Sequence, residues 1–306
     1  MSSNTNITNL STSSKELERS LRAQKTTRIV SKTLIYLFLI IVALFTLFPF
    51  YWMIQTSLKD NYDYMNQIPQ TFFPTSVHWE NYYNAFVGND FMSYFINTVI
   101  VGVISTFLGI IVTIFAAFAF AKLKFTGKNL IFTLLLATMM VPGELFQITN
   151  LITTIKLNWL NTYTALILPF LVSVFYIYLL RNNFMQVPNE LYLAAKVDGT
   201  SDFKFLWRVM VPLSMPTITS ITILKLMASW NSYIWPRLVN ATGIGGRPMT
   251  MVANWLMNSF TDPLTGLTHY PMKMAAVVIV SLPLFIIFIF FRKYIMRGVS
   301  RSGIKG

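Results

Sequence analysis

The 306-residue chain contains no cysteine, two histidines and eleven acidic residues. The absence of cysteine excludes disulfides, thiol catalysis and thiolate metal sites, and His78 and His269 stand too far apart in sequence to make a convincing ligand set. Charge is scarce, at 11% of residues against 54% hydrophobic, and that balance excludes an ordinary soluble domain of this length. The shortage of acids leaves a net charge of +13. The basic residues sit between apolar runs and form no solvated basic face, so nucleic acid is excluded as a partner. There is no GxxxxGK[ST] phosphate loop, no dense acid cluster and no Ser/His/Asp set, so the chain carries no chemistry of its own.

What is present is apolar length. A helix needs about 20 apolar residues to cross the hydrocarbon core, because its backbone must be satisfied internally. Runs of that kind lie near 33–54, 94–121, 129–152, 163–180, 213–239 and 274–291, which predicts an all-α integral membrane protein with six transmembrane helices. The third and fifth runs contain polar residues and prolines: Pro142, Glu144 and Gln147, then Lys225, Asn231 and Pro236. Residues 1–32 are polar and then basic, and the run that follows is too long for a cleaved signal peptide. This segment reads as a disordered cytoplasmic tail, 33–296 as the membrane domain, and 297–306 as a C-terminal cytoplasmic tail.

Eighteen of the 24 lysines and arginines fall in the N-terminal tail, the second-to-third link, the fourth-to-fifth link and the C-terminus. By the positive-inside rule both termini are cytoplasmic and the membrane is a cell membrane crossed several times. The opposite loops, 55–93 and 237–273, carry Pro69, Pro74, Trp79, Tyr82 and Tyr83, a composition suited to pieces lying along the lipid surface.

The most informative stretch is the fourth-to-fifth link, 188–216. Pro188 can open a helix over 189–197, Gly199 can end it in a left-handed conformation, and Ser201 or Asp202 can cap a second helix through Val209, closed by Pro212. Two short helices joined by a sharp turn result, with Ala194 and Ala195 allowing close approach of a partner and Phe203, Phe205 and Trp207 as anchors.

Within the apolar runs, polar groups are costly and tend to face an interior path. Glu144, Gln147 and Asn150, together with Trp230, Asn231, Tyr233 and Trp235, are the candidates for lining one. Rings for stacking and an amide for hydroxyls would suit a sugar. The same aromatics equally suit an interfacial belt, and Glu144 equally suits the outer end of a helix broken at Pro142-Gly143. Lys225 reads as snorkelling toward the cytoplasmic face.

The link resembles the EAA loop of permeases of binding-protein-dependent ABC importers. It shows Leu193-Ala194-Ala195, Asp198-Gly199-Thr200, Phe205 and Val211-Pro212 with Pro216 beyond. It departs at Leu193, where that family has glutamate; Glu190 stands one turn earlier. Further segments resemble the second permease of maltose-type carbohydrate systems: Phe48-Pro49 to Trp52, Ser57 to Lys59, Asn97-Thr98, Met140 to Glu144, Trp230 to Pro236, and Arg297-Gly298 with Gly303 to Gly306. The resemblance implies a cytoplasmic coupling helix between transmembrane helices 4 and 5 that docks on an ATPase through Glu190, Leu193, Ala194, Ala195, Asp198, Gly199 and Pro212. It also implies a tail reaching the ATPase through Gly298, Gly303 and Lys305.

The implied partners are a homologous second permease, two ATPase subunits and an extracytoplasmic binding protein. This chain would hold no cofactor, with ATP and magnesium on the ATPases. The implied cargo is a carbohydrate, in particular an oligosaccharide, with glycerol 3-phosphate or a glycerophosphodiester as the alternative. From another class, an ion-coupled secondary transporter would be expected to show internal repeats and midplane carboxylates. The chain shows no clear repeat, and Glu144 is its single candidate acid.

Overall fold

The computed structural model describes residues 4–88, 90–240, 249–261 and 265–300, with side chains described between 24 and 293. Among the described residues the regular structure is helical, and β pairing is limited to one isolated bridge between Thr261 and Thr268.

Helix α1 (Asn4–Ser57) is a single continuous element. The disordered tail expected for 1–32 is therefore replaced from Asn4 onward by helix continuous with the first apolar run. The chain supplies a physical reason: no proline precedes Pro49 and no glycine precedes Gly88, while 15–25 is rich in Lys, Glu, Leu, Arg, Gln and Ala, all strong helix formers. The apolar window of α1 is unburied within this chain, and its C-terminal part meets the last helix through Phe50 against Phe285. An apolar window left unburied by its own chain is suited to face lipid or another subunit.

Two short helices follow, α2 (Asn61–Asn66), capped by Asp60, and α3 (Glu80–Val87). Next comes α4 (Phe91–Ala121), the central helix of the bundle. Its buried face reads Thr98, Val101, Gly102, Ser105, Thr106, Gly109, Thr113 and Ala117, a stripe of mostly small residues at helical spacing that lets neighbouring backbones approach.

The third apolar run is not one straight crossing. Helix α5 (Lys128–Thr138) and the segment Gly143–Lys156, made of a 3-10 turn and α6 (Gln147–Lys156), meet at 89°. Pro142 lacks an N–H and disfavours helix in the residue before it, so the run bends there.

The fourth run, expected unbroken over 163–180, is also divided, into α7 (Tyr163–Ile167) and α8 (Val174–Met185). Pro169 cannot donate to the carbonyl of Ala165, and that carbonyl takes the Trp235 indole Nε1–H instead, at 2.8 Å.

In the link, α9 (Asn189–Val197) is followed by α10 (Asp202–Phe205), a π-helical turn Leu206–Met210 and α11 (Val211–Leu213). Pro212 does not close this helix. It occupies a position in the first turn of α11, where a missing N–H is tolerated, and the break falls two residues later at Ser214, where Asp202–Leu213 and Met215–Trp230 (α12) meet at 80°. The fifth run then continues through a turn at 231–233 into α13 (Ile234–Val239), and α14 (Val252–Asn258) and α15 (Tyr270–Ser300) complete the chain.

Among the described residues three helices are thus long and apolar enough to span a membrane, Gln24–Ser57, Phe91–Ala121 and Tyr270–Lys293, or up to five elements when each bent pair is taken as one. Three buried clusters hold the bundle together. One joins α4, α8, α10, the π turn and α12 through Phe118, Phe184, Phe205, Met210 and Ile221. A second gathers Phe91, Trp255, Phe260 and Ala276 at the opposite end, and a third joins Val101, Leu166, Trp235 and Met251 between them.

Candidate functional site

Two features stand out, a half-open cavity at the broken fourth run and the exposed surface of α9. The cavity has a volume of about 680 Å³ and is lined from α4, α6, the 166–176 segment, α12 and α13, with Gln147, Tyr176, Lys225, Asn231, Tyr233 and Trp235 among its walls. Of the polar and aromatic residues expected on a path, Gln147, Asn231, Tyr233 and Trp235 are brought together here. Glu144, Asn150 and Trp230 do not line it. Glu144 is exposed in the 3-10 turn at the bend, and Trp230 is buried edge-on against Phe95.

The aromatic walls differ in what they can do. Trp235 is 3% exposed, packs edge-on against Phe170, and commits its N–H to Ala165. It serves as wall and as helix-break seal, not as an open stacking face. Tyr233 is half-buried, and its hydroxyl accepts a hydrogen bond from Arg237 at 2.7 Å. Asn231 is exposed, and its amide donates to Met227 O at 3.0 Å while the side-chain oxygen stays available.

Lys225 does not snorkel to a surface. It is 7% exposed, with Nζ donating to the backbone carbonyls of Leu171 at 3.0 Å and Phe170 at 3.3 Å and lying 5.8 Å from the Tyr176 ring. Those carbonyls belong to the break after Pro169, where no helical N–H reaches them. An unsatisfied backbone group in an apolar surround costs several kcal/mol, so the lysine is held by the very defect that the proline creates. Room for it comes from Gly109: a Cβ there would fall 2.1 Å from Lys225 Cε.

Sequence reading missed Ser105, Phe170, Tyr176, Ser229 and Ser232 as cavity walls. Pro169 within an apolar run was the signal that could have located them, since the break it causes opens the space. The N-terminal part of α4 is fixed nearby. Thr98 Oγ1 donates to Tyr94 O at 2.8 Å and accepts from Val252 N at 2.9 Å, and Asn97 Oδ1 accepts from the Tyr163 hydroxyl at 2.7 Å.

At the other end of the bundle, α9 exposes Asn189, Glu190, Leu191, Leu193, Ala194, Lys196 and Val197, of which Glu190, Leu193, Ala194 and Val197 form one stripe at spacings of three and four. Leu193 is 58% and Val197 88% exposed. The opposite side carries Tyr192 and Ala195 onto the core. Gly199 follows at φ +71°, the left-handed value that ends the helix, and the Ser201 hydroxyl caps α10 by accepting from Lys204 N at 3.3 Å. Asp198 and Gly199 are exposed at the turn.

The turn is closed by a polar cluster. Asp202 accepts from Tyr192 Oη at 2.7 Å and pairs with Lys196 at 2.8 Å. Hydrogen bonds from Lys196 and Tyr192 hold the Asp202 carboxyl below the ordinary carboxylate range, and the Asp202 hydrogen bond raises Lys196. Burial foremost, with Asp202 beside it, raises Tyr192. The base of α9 is pinned to the end of α4: Lys122 is buried and donates to Val187 O at 2.7 Å and Asn189 Oδ1 at 2.8 Å. Of the expected tail contacts, Gly298 falls in the last turns of α15, while Gly303 and Lys305 lie outside the described residues.

Comparison with known proteins gives a consistent picture. Residues 109–301 match the model of the family described as binding-protein-dependent transport system inner membrane component. The chain is 30% identical over 272 residues to the arabinooligosaccharides transport system permease protein AraQ of Bacillus subtilis (strain 168), covering 88% of this chain and 94% of that protein. It is 29% identical over 274 residues to the sn-glycerol-3-phosphate transport system permease protein UgpE of Yersinia pestis bv. Antiqua (strain Antiqua), covering 87% and 95%. Among solved structures it shares its fold with a chain of a bacterial ABC transporter involved in the import of the acidic polysaccharide alginate. The TM-score is 0.74 at 21% identity, over 89% of this chain and 98% of that one.

Proposed function

As this chain belongs to the family of inner membrane components of binding-protein-dependent transport systems, we propose that it forms one half of the membrane path of an ATP-driven importer for a carbohydrate. The observation that carries this reading is the pairing of a half-open cavity at a broken helix with an exposed, apolar-faced helix at the other end of the bundle. Substrate handling and partner docking are thereby separated along one chain, joined through α12.

In this reading the membrane is crossed six times with both termini in the cytoplasm, as the lysine and arginine distribution requires. The bent pairs and the Pro169 break are crossings that change direction where they meet the path, since irregular backbone at membrane depth is tolerated where it lines a cavity. The stripe Glu190, Leu193, Ala194 and Val197, with Asp198 and Gly199 at the turn, docks on one of two ATPase subunits. Because Leu193 stands where glutamate is usual, shape and apolar contact supply the affinity. Pro212, exposed in the segment behind this face, belongs to the same coupling surface. Gly298, Gly303 and Lys305 contribute a second ATPase contact. A homologous second permease closes the other side of the path, an extracytoplasmic binding protein delivers the solute, and ATP with magnesium is bound and consumed on the ATPases.

ATP-dependent uptake by the complete complex in proteoliposomes, absent when ATP is withheld, is the expected result. Uptake driven by an ion gradient without ATP would overturn the assignment. Docking is tested separately. Deletion of 190–216, and the double substitution Leu193→Asp with Val197→Asp at exposed positions, should each abolish co-purification with the ATPase, and stoichiometric recovery with the double variant would refute the docking face.

A further inference from the structure

We propose that the cavity selects a hydroxylated solute bearing an anionic group, and that the Lys225 ammonium is the residue that reads the charge. The inference rests on the transport reading above and deepens it by naming the substrate class.

Among the described residues that line the cavity, Lys225 is the one charged side chain, and none is a carboxylate. The ion pairs found among the described residues, His78 with Glu80 and Lys196 with Asp202, lie elsewhere. A cation in an apolar helical bundle is expensive and is normally paired or functional. Here its compensation is partial. Two of the three N–H donors of an ammonium are accounted for by Leu171 O and Phe170 O, and both acceptors are neutral dipoles that do not cancel a unit charge.

Among the described residues the third donor has no acceptor, and Lys225 lines the cavity. The carbonyls and Gly109 fix the ammonium in place, so little ordering remains to be done when an anion arrives. Ser105, Ser229, Ser232 and Gln147 surround the same space with neutral donors and acceptors suited to hydroxyls. A carboxylate or phosphate oxygen fits the ammonium; a wholly neutral sugar would leave it uncompensated.

The test uses the complete complex with its binding protein. The binding protein is first titrated with a neutral arabinotriose, a trigalacturonate and sn-glycerol 3-phosphate, and ATP-dependent uptake of each is then measured in proteoliposomes. The expected result is binding and uptake of an anionic probe, the trigalacturonate and the phosphate ester separating carboxylate from phosphate. In Lys225→Gln, uptake of that probe should fall about tenfold or more, the scale of one lost charge-assisted hydrogen bond. Lys225→Arg should retain most of it, and ATPase activity stimulated by the loaded binding protein should persist in both variants.

Lys225→Gln also gives up the hydrogen bonds to Phe170 O and Leu171 O, so stability does not discriminate. A purely structural lysine is shown by uptake and stimulated ATPase activity falling in proportion in Lys225→Gln, and that pattern overturns the proposal. Uptake of the neutral trisaccharide alone overturns the charge assignment and leaves the transport reading standing. Absence of ATP-dependent uptake for every probe overturns both.

Discussion

Gly109→Ala is the most searching perturbation of this fold, because one added methyl group meets three atoms at once. Its Cβ would lie 2.1 Å from Lys225 Cε, 2.6 Å from Nζ and 2.8 Å from the carbonyl oxygen of Leu171. The first two contacts can be relieved if the lysine swings away, but the third is backbone and must itself shift. Forcing a methyl into a packed site costs about 1–3 kcal/mol, and losing hydrogen bonds to a charged group costs about 1.5–3 kcal/mol. These are alternatives more than summands, since expelling the lysine relieves most of the clash, so the expected loss is about 2–3 kcal/mol. Denaturant unfolding of the purified complex in detergent measures it. Combining Gly109→Ala with Lys225→Met should cost less than the sum of the two single changes by about 1–2 kcal/mol, because the methyl then has room. Wild-type stability of Gly109→Ala, or strict additivity in the double variant, would show that the glycine is not there to admit the lysine.

Two further predictions concern the 188–216 link. Lys122→Met removes the donor to Val187 O and Asn189 Oδ1, so α9 should loosen at its base and tryptic cleavage at Lys196 should accelerate; an unchanged cleavage rate would refute the pin. The Tyr192, Lys196 and Asp202 cluster should respond to pH from both sides. Asp202 has a lowered folded pKa, so its contribution is present above the ordinary aspartate value of about 4 and is lost as pH falls through the lower folded value. Lys196 is raised, so its contribution is present below the ordinary lysine value and is lost as pH rises through the folded one. Asp202→Asn should abolish the acid-side dependence of tryptic cleavage in this link. Exposure of both side chains keeps the effect small and sensitive to salt.

Much of the link was legible because local rules decide it. Pro188 before α9, the left-handed Gly199 and the Ser201 cap all follow from backbone conformations that few other residues serve as well. Pro212 misled because a proline ends a helix or opens one with equal ease, and tertiary packing of the π turn chose the second. The division of the fourth run was missed because hydropathy registers apolar length and is blind to direction. Residues 163–180 are apolar enough to read as a continuous crossing, and the break at Pro169 becomes stable when Trp235 and Lys225, more than fifty residues away in sequence, supply the missing donors. The same distance explains Lys225 itself. From sequence a lone lysine in an apolar run is expected to reach for water; the carbonyls that hold it become visible once the chain is folded. The helical N-terminal extension was a question of propensity alone, which is weak evidence in either direction.

The elbow at Ser214 has a mechanical meaning. Its arms are Asp202–Leu213, packed beneath α9, and α12, which carries Lys225 and leads to the cavity wall at 231–236. Two rods joined at 80° behave as a bell crank, so travel along the first arm arrives at the second as travel nearly at right angles to it. Ser214 is 1% exposed, and its backbone N–H is held by Met210 and Val211, which makes the corner a stiff weld and not a slack joint. A thrust received at the α9 face along the first arm is therefore delivered at the cavity as a sideways displacement of one wall.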